Sequence, residues 1–85
     1  MRLDKFLKVS RIIKRRTVAK EASNDDKVFI NGRVAKPSTN VKVGDEIEIN
    51  YYKKKARFKV TSLFASTKKA DAKEMYELIE IIEED

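Results

Sequence analysis

The dipeptide Asn31-Gly32 restricts the fold of this chain more than any other local feature. Both residues of a tight two-residue hairpin turn need a positive φ, which Asn and Gly adopt readily, and the pair lies between the β-prone runs "VFI" and "RVA". A β-hairpin is therefore predicted here. A further strand is predicted where Ile47, Ile49 and Tyr51 alternate with polar residues, and another at "RFKVTSLF" after a basic turn.

Two helices are predicted before this hairpin. Over residues 3–13, helical spacing gives one apolar face and places Asp4, Lys5, Lys8 and Arg11 on the opposite side. A second, shorter helix is predicted from Arg16 to residue 23, where "SNDD" supplies turn-forming residues. The expected class is α+β, with two N-terminal helices packed on a small, mostly antiparallel sheet.

The C-terminal stretch "DAKEMYELIEIIEED" has two interpretations. Met75, Tyr76, Ile79 and Ile82 recur at helical intervals, which predicts a short C-terminal helix, whereas "YELIEII" also fits a strand. At 85 residues the chain has room for one domain. We expect a domain over residues 1–66 and an acidic, helical extension over residues 67–85.

Positive charge is concentrated in the first 20 residues. The whole chain has a net charge of +6, and residues 1–20 hold eight Lys or Arg against one acid, Asp4. Such a field attracts polyanions, so nucleic acid is the leading partner class, ahead of an anionic membrane and of small acidic substrates. The competing interpretation is that these side chains only keep a small domain soluble.

The residue types exclude most catalytic chemistry. Cysteine and histidine are absent, and both glycines lie in predicted turns, so neither a thiol or imidazole site nor a phosphate-cradling glycine loop is available. We expect no enzyme activity, no cofactor and no metal. The sequence also lacks a signal-peptide pattern and an apolar run of about 18 residues, which predicts a cytoplasmic protein without a membrane partner.

The basic cluster opposes local helix stability. Arg15 and Arg16 fall at the start of the second helix, where the helix dipole disfavours cations, and Arg16 and Lys20 form a like-charged i, i+4 pair. A phosphate bound there would turn both conflicts into attractions. Asp4 either orients an arginine of the cluster or is an ordinary exposed acid.

Other candidate contacts lie on the predicted sheet. Arg33 and Lys36 follow the hairpin turn. The sequence is equally compatible with side chains that contact a phosphate and with side chains that are only exposed to solvent. Tyr51 and Tyr52, beside Lys53, either stack on a base or pack within their strand.

Four segments together resemble the S4 RNA-binding domain: "RLDKFL", "RRTVAKE", "VFING" and "PSTNVKVGDEI". The resemblance implies the S4-like (alpha-L) fold and RNA binding through the helical face. Within this family, "MRLDKFLKVSR", "KRRTVAKE" and "TKKADAKEMYEL" resemble the stand-alone RqcP (YabO) type, which is related to the small heat-shock S4 proteins. The chain departs from the common S4 pattern at Arg15, often Ser or Thr, and at Asp26, often Gly.

The RqcP resemblance implies a role in ribosome-associated quality control. It implies binding to 23S rRNA and peptidyl-tRNA on stalled large ribosomal subunits, stabilisation of the P-site tRNA, and support of C-terminal alanine tailing with an RqcH-type tailing factor. We expect a monomer whose RNA-binding residues are Arg2, Asp4, Lys5, Arg11, Arg15, Arg16, Lys20, Arg33 and Lys36; Arg2, Asp4 and Arg16 match the family motif directly. The alternatives are an adaptor that recruits a protein through the acidic C-terminal helix, and a general S4 protein of ribosome assembly or heat-shock recycling.

Overall fold

The computed structural model describes residues 1–51, 53–63 and 72–83, without the side chain of Arg16. Two helices and five strands form in this part of the chain: α1 Leu3–Val9, α2 Arg16–Asn24, β1 Val28–Ile30, β2 Arg33–Val34, β3 Glu46–Tyr51, β4 Lys54–Val60 and β5 Tyr76–Glu83. A 3₁₀ turn, Lys73–Met75, precedes β5. Neither of these helices has the length and apolarity that crossing a membrane requires.

The strands form one antiparallel sheet in the order β2-β1-β3-β4-β5. The predicted hairpin is confirmed: Asn31 and Gly32 have φ of 52° and 82°, and Ile30 pairs with Arg33 across the turn. The Asn31 side chain fixes this turn to the next strand, because its Oδ1 accepts from the Glu46 N–H at 3.0 Å and its Nδ2 donates to Asp45 at 3.1 Å.

One face of the sheet carries the core. Apolar side chains of α1 and α2 pack on the inward positions of β1, β3 and β4. The buried residues include Leu3, Phe6, Leu7, Ala19, Val28, Ile47, Ile49, Phe58 and Val60. The α+β fold predicted from the sequence, with two helices on a small antiparallel sheet, is thus confirmed. The opposite face of the sheet carries mainly charged side chains of β3, β4 and β5.

The first helix is shorter than predicted. It ends at Val9, because Arg11 adopts a left-handed conformation with φ of 61° that cannot continue an α-helix. The N–H groups of Arg11 and Ile13 turn back to the carbonyls of Lys8 and Leu7 and satisfy these at the helix end. The second helix begins at Arg16 as predicted and extends one residue beyond its predicted end.

The predicted C-terminal helix is wrong for Tyr76–Glu83, which forms β5 and pairs with β4 along its length. Two physical reasons favour the strand. Ile79, Ile81 and Ile82 are β-branched, and the edge of β4 offers unpaired backbone groups to a strand but not to a helix. The helical spacing of Met75 reflects instead its burial at the end of the 3₁₀ turn. The strand predicted at residues 57–64 starts earlier, at Lys54, and ends at Val60; residue 64 lies outside the described residues.

Candidate nucleic-acid interface

Asp4 is buried at the start of α1, with 2% of its surface exposed. The prediction that it lies on the solvent-facing side of α1, opposite the apolar face, is wrong. The loop that follows β2 covers this end of the helix, and the N–H groups of Leu3 and Asp4 donate to the carbonyls of Thr39 and Pro37 at 2.8 and 3.1 Å. The Asp4 carboxylate in turn accepts from the Lys5 N–H at 2.8 Å. Backbone and carboxylate together therefore satisfy the start of α1.

The same carboxylate holds Arg2. The Nε and Nη2 atoms of Arg2 donate to the two Asp4 oxygens at 3.2 and 3.3 Å, a bidentate contact of the kind predicted from the sequence. The Asp4 side chain is 3% exposed and the Arg2 side chain 53% exposed. A guanidinium has five N–H groups, so the edge formed by Nη1 and the second N–H of Nη2 remains for another planar or tetrahedral oxyanion. Arg2 is thus a surface cation with a fixed orientation.

The start of α2, unlike that of α1, has no carboxylate in its first turn. Its N-cap, Arg15, is extended and makes no side-chain capping bond, and the first turn contains no acid. Neither a side-chain cap nor an acid in the first turn therefore compensates the positive end of the helix dipole, and Arg15 itself is exposed beside it. Lys20 is exposed further along the helix, whereas the side chain of Arg16 lies outside the described part of the structure.

Most of the predicted RNA-binding cations have no acidic partner in the described part of the chain. Among the described residues, no carboxylate lies within ion-pair distance of five of them: Lys5, Arg11, Arg15, Lys20 and Arg33. Lys5 is half-buried and the other four are exposed. The unpaired cations of the two helices and of the turn between them are suited to attract phosphate groups, because no carboxylate of the described residues pairs with them.

Lys36 differs from this group. Its ammonium forms an ion pair with Asp26, which has a left-handed φ of 56°. Both side chains are more than half exposed, so the pair is weak and open to competition by phosphate. Arg33 lies on the outermost strand, β2, and Lys36 in the loop that covers the start of α1.

Tyr51 lies at the end of β3, partly exposed, with the ammonium of Lys54 5.4 Å from its ring centroid. Partial burial raises the pKa of its phenol. This arrangement leaves the stacking hypothesis open for Tyr51, and Tyr52 lies outside the described residues.

Sequence reasoning missed the charge pattern on the outer face of the sheet. Arg57 donates to Glu80 at 2.7 Å and to Glu46 at 3.5 Å, and so connects β3, β4 and β5. The hydrogen bond to Glu80 raises the pKa of Arg57. The available signal was the alternation of charged residues in "EIEIN" and "KARFK". It could be interpreted only once β5 was recognised as a strand beside β4.

Residues 1–47 match the model of the S4 domain, which is more than half of the chain. This chain belongs to the S4 domain family. Two relatives of the same name, RQC P-site tRNA stabilizing factor, extend the similarity beyond this domain. The Streptococcus pneumoniae protein is 56% identical over 79 residues, covering 93% of this chain and 90% of the relative, and the Bacillus subtilis protein is 49% identical with 93% and 92% covered.

Among solved structures, the trimeric Heat Shock Protein 15 of Vibrio cholerae has a similar fold, with a TM-score of 0.84 at 28% sequence identity. The similarity covers 93% of this S4 protein and 81% of the other chain. It therefore includes part of the chain beyond the S4 match, in agreement with a sheet that continues into β5.

Proposed function

We propose that this S4 protein is a non-enzymatic, cytoplasmic RNA-binding factor of ribosome-associated quality control. It binds 23S rRNA and the P-site tRNA on large ribosomal subunits that carry peptidyl-tRNA, acts as a monomer, and supports C-terminal alanine tailing by an RqcH-type factor. The names of its relatives support this proposal, since proteins about half identical to it over most of the chain are named as stabilizing factors of the P-site tRNA.

The contact between Arg2 and Asp4 carries the physical argument. A buried carboxylate is unfavourable unless it is paired, and here it both supports the helix start and fixes an exposed guanidinium. A guanidinium used only for solubility needs no such orientation. A guanidinium used to bind phosphate gains from it, because less side-chain freedom is lost on binding.

The remaining cations take roles that follow from their positions. We assign Arg2, Lys5, Arg11, Arg15, Arg16 and Lys20 to phosphate contacts across the helical surface, and Arg33 and Lys36 to a neighbouring backbone segment. Asp4 positions Arg2 and does not itself contact RNA. The domain over residues 1–66 holds all of these residues, and residues 67–85 contribute the last strand of its sheet.

The salt dependence of ribosome binding tests this assignment. Binding of fluorescently labelled protein to purified 50S subunits carrying peptidyl-tRNA is measured over a series of KCl concentrations. Each lost phosphate contact reduces the slope of log K against log salt by about 0.7–0.9. The variants Arg2→Ala and Arg16→Ala are each expected to show this reduction.

Lys59→Ala is the matched control, because Lys59 is an exposed cation on the outer face of the sheet, away from the helices. It removes the same charge and should leave the slope unchanged. Equal slopes for Arg2→Ala, Arg16→Ala and Lys59→Ala would show that general charge, and not the helical surface, drives binding.

The similarity to Heat Shock Protein 15 favours a second candidate, a general structured-RNA-binding S4 protein of ribosome assembly or heat-shock recycling. The two candidates differ in their product. Loss of alanine tails on stalled nascent chains in cells lacking this protein supports the first, and unchanged tails with accumulated free 50S–peptidyl-tRNA complexes supports the second.

A further inference from the structure

Strand β5 holds more exposed large apolar side chains than any other element of the described structure. Of the large apolar side chains that are exposed, four lie on this strand: Leu78, Ile79, Ile81 and Ile82, each 41–48% exposed. Within the described residues β5 is the last strand of the sheet, so one row of its backbone N–H and C=O groups has no strand partner. Edges of this kind pair readily with another extended segment.

The two faces of β5 differ in character. Residues paired across an antiparallel sheet share a face, so Leu78 and Ile81 lie on the helix side with Phe58 and Ala56, at the margin of the core. Glu77 and Glu80 lie on the outer side, opposite Lys59 and Arg57. Over residues 77–81, a segment that extends the sheet therefore meets Leu78 and Ile81 on the helix side and carboxylates on the outer side. Beyond Ile81 the outer side continues with Ile82, opposite Lys55.

Charge alternates from strand to strand on the outer face. Glu46 and Glu48 of β3 pair with Lys59 and Arg57 of β4, which in turn pair with Glu77 and Glu80 of β5. Arg57 and Lys59 thus each have an acid on both sides, whereas Glu77 and Glu80 have a basic neighbour on one side only among the described residues. The next strand in this order is a basic one.

A second copy of the same edge fits poorly. Residues 74–83 contain Glu74, Glu77, Glu80 and Glu83 and no Lys or Arg, so pairing two β5 strands places acids beside acids.

We propose that β5 is a docking strand for an extended protein segment whose residues alternate between basic and aliphatic. The segment adds to the sheet as a sixth strand, with its Lys or Arg side chains beside Glu77 and Glu80 and its aliphatic side chains beside Leu78 and Ile81. Backbone hydrogen bonds supply affinity, and the alternating charge supplies selectivity. This surface is separate from the helical cations, so the protein joins an RNA to a protein partner.

Peptide titration of the free protein, followed by amide NMR shifts and hydrogen exchange, tests this site. The probe is a short capped peptide of alternating Lys and Val, compared with a Glu-Val peptide and with a Lys-Val peptide whose alternate amides are N-methylated. The Lys-Val peptide should shift the signals of β5 amides and protect these amides from exchange. Both comparison peptides should bind at least about tenfold more weakly than the Lys-Val peptide.

Two variants locate the site. Glu77→Lys should weaken the Lys-Val peptide about tenfold and improve the Glu-Val peptide, an exchange of preference that unfolding does not produce. Val34→Lys, on the opposite edge strand β2, should leave both affinities unchanged, as should Arg2→Ala, which tests the RNA site alone.

Three results would overturn the proposal. The first is equal binding of the Lys-Val and Glu-Val peptides. The second is peptide-induced shifts confined to β2 or to the helices. The third is protection of the outer β5 amides from exchange in the absence of peptide, which means that the edge is already occupied. A dimer in sedimentation would assign this occupation to a second copy, and a monomer would assign it to the chain itself.

Discussion

Replacing Asp4 with Asn isolates the charge of the buried carboxylate while keeping its size. An amide oxygen in the position of Oδ1 still accepts from the Lys5 N–H and from Arg2 Nε, but the NH₂ group replaces Oδ2 and faces Arg2 Nη2, which has only donors. Hydrogen bonds to charged groups contribute about 1.5–3 kcal/mol when buried. Since Arg2 is half exposed, solvent screening reduces this contribution, and we expect the free energy of unfolding to fall by about 1–2 kcal/mol.

Thermal and urea unfolding monitored by circular dichroism measure this loss. For a domain of this size, 1 kcal/mol lowers Tm by about 4–8 °C, so a decrease of about 4–16 °C is expected. Asp26→Asn is the matched control, because Asp26 pairs with Lys36 at the exposed surface and Asn tolerates its left-handed backbone. That variant should change the free energy of unfolding by less than about 0.5 kcal/mol. If Asp4→Asn is no more destabilising than Asp26→Asn, the role given to the buried carboxylate is refuted.

Three further predictions concern the rest of the fold. Asn31→Ala should lower the free energy of unfolding, measured by urea titration, by about 2–3 kcal/mol, because Ala is strained at positive φ and both side-chain hydrogen bonds are lost. Asn31→Gly loses only the hydrogen bonds and should lower this free energy by about 1 kcal/mol. Met75→Ala should lower it by about 2–4 kcal/mol if the C-terminal segment closes the core, and a loss below about 1 kcal/mol would contradict this. Burial raises the pKa of Tyr51, so the folded state holds the phenol proton more tightly than the unfolded state, whose pKa is about 10. Stability is then complete below pH about 10 and declines as pH rises through the folded pKa, and Tyr51→Phe should reduce that alkaline decline in urea titrations at several pH values.

The sequence predicts the elements whose formation depends on local chemistry. Asn31-Gly32 specifies its turn through backbone preference alone, and the start of the second helix follows from the residues around Arg16. The bidentate contact between Arg2 and Asp4 was also accessible, because two residues so close in the chain have few other ways to pair.

The errors lie where distant segments decide the structure. Asp4 is buried because residues 37–39 cover the helix start, and periodicity within one helix carries no information about that loop. The segment Tyr76–Glu83 fits a helix and a strand about equally in isolation, and the edge of β4 selects the strand. The end of α1 depends on Arg11, a residue with no special preference for the left-handed backbone it adopts.

Anchoring of the first helix by a much later loop also affects how the protein becomes functional during its own synthesis. The N–H groups of Leu3 and Asp4 find their carbonyl acceptors at Thr39 and Pro37, and the N–H of Val41 returns to the carbonyl of Met1 at 2.7 Å. Contacts of such long sequence separation form late in folding, because the intervening chain must first be closed into a loop. A nascent chain of which only the basic N-terminal residues have left the ribosome therefore has their positive charge but not yet their folded arrangement. Ordered RNA recognition is acquired once the middle of the chain has left the exit tunnel.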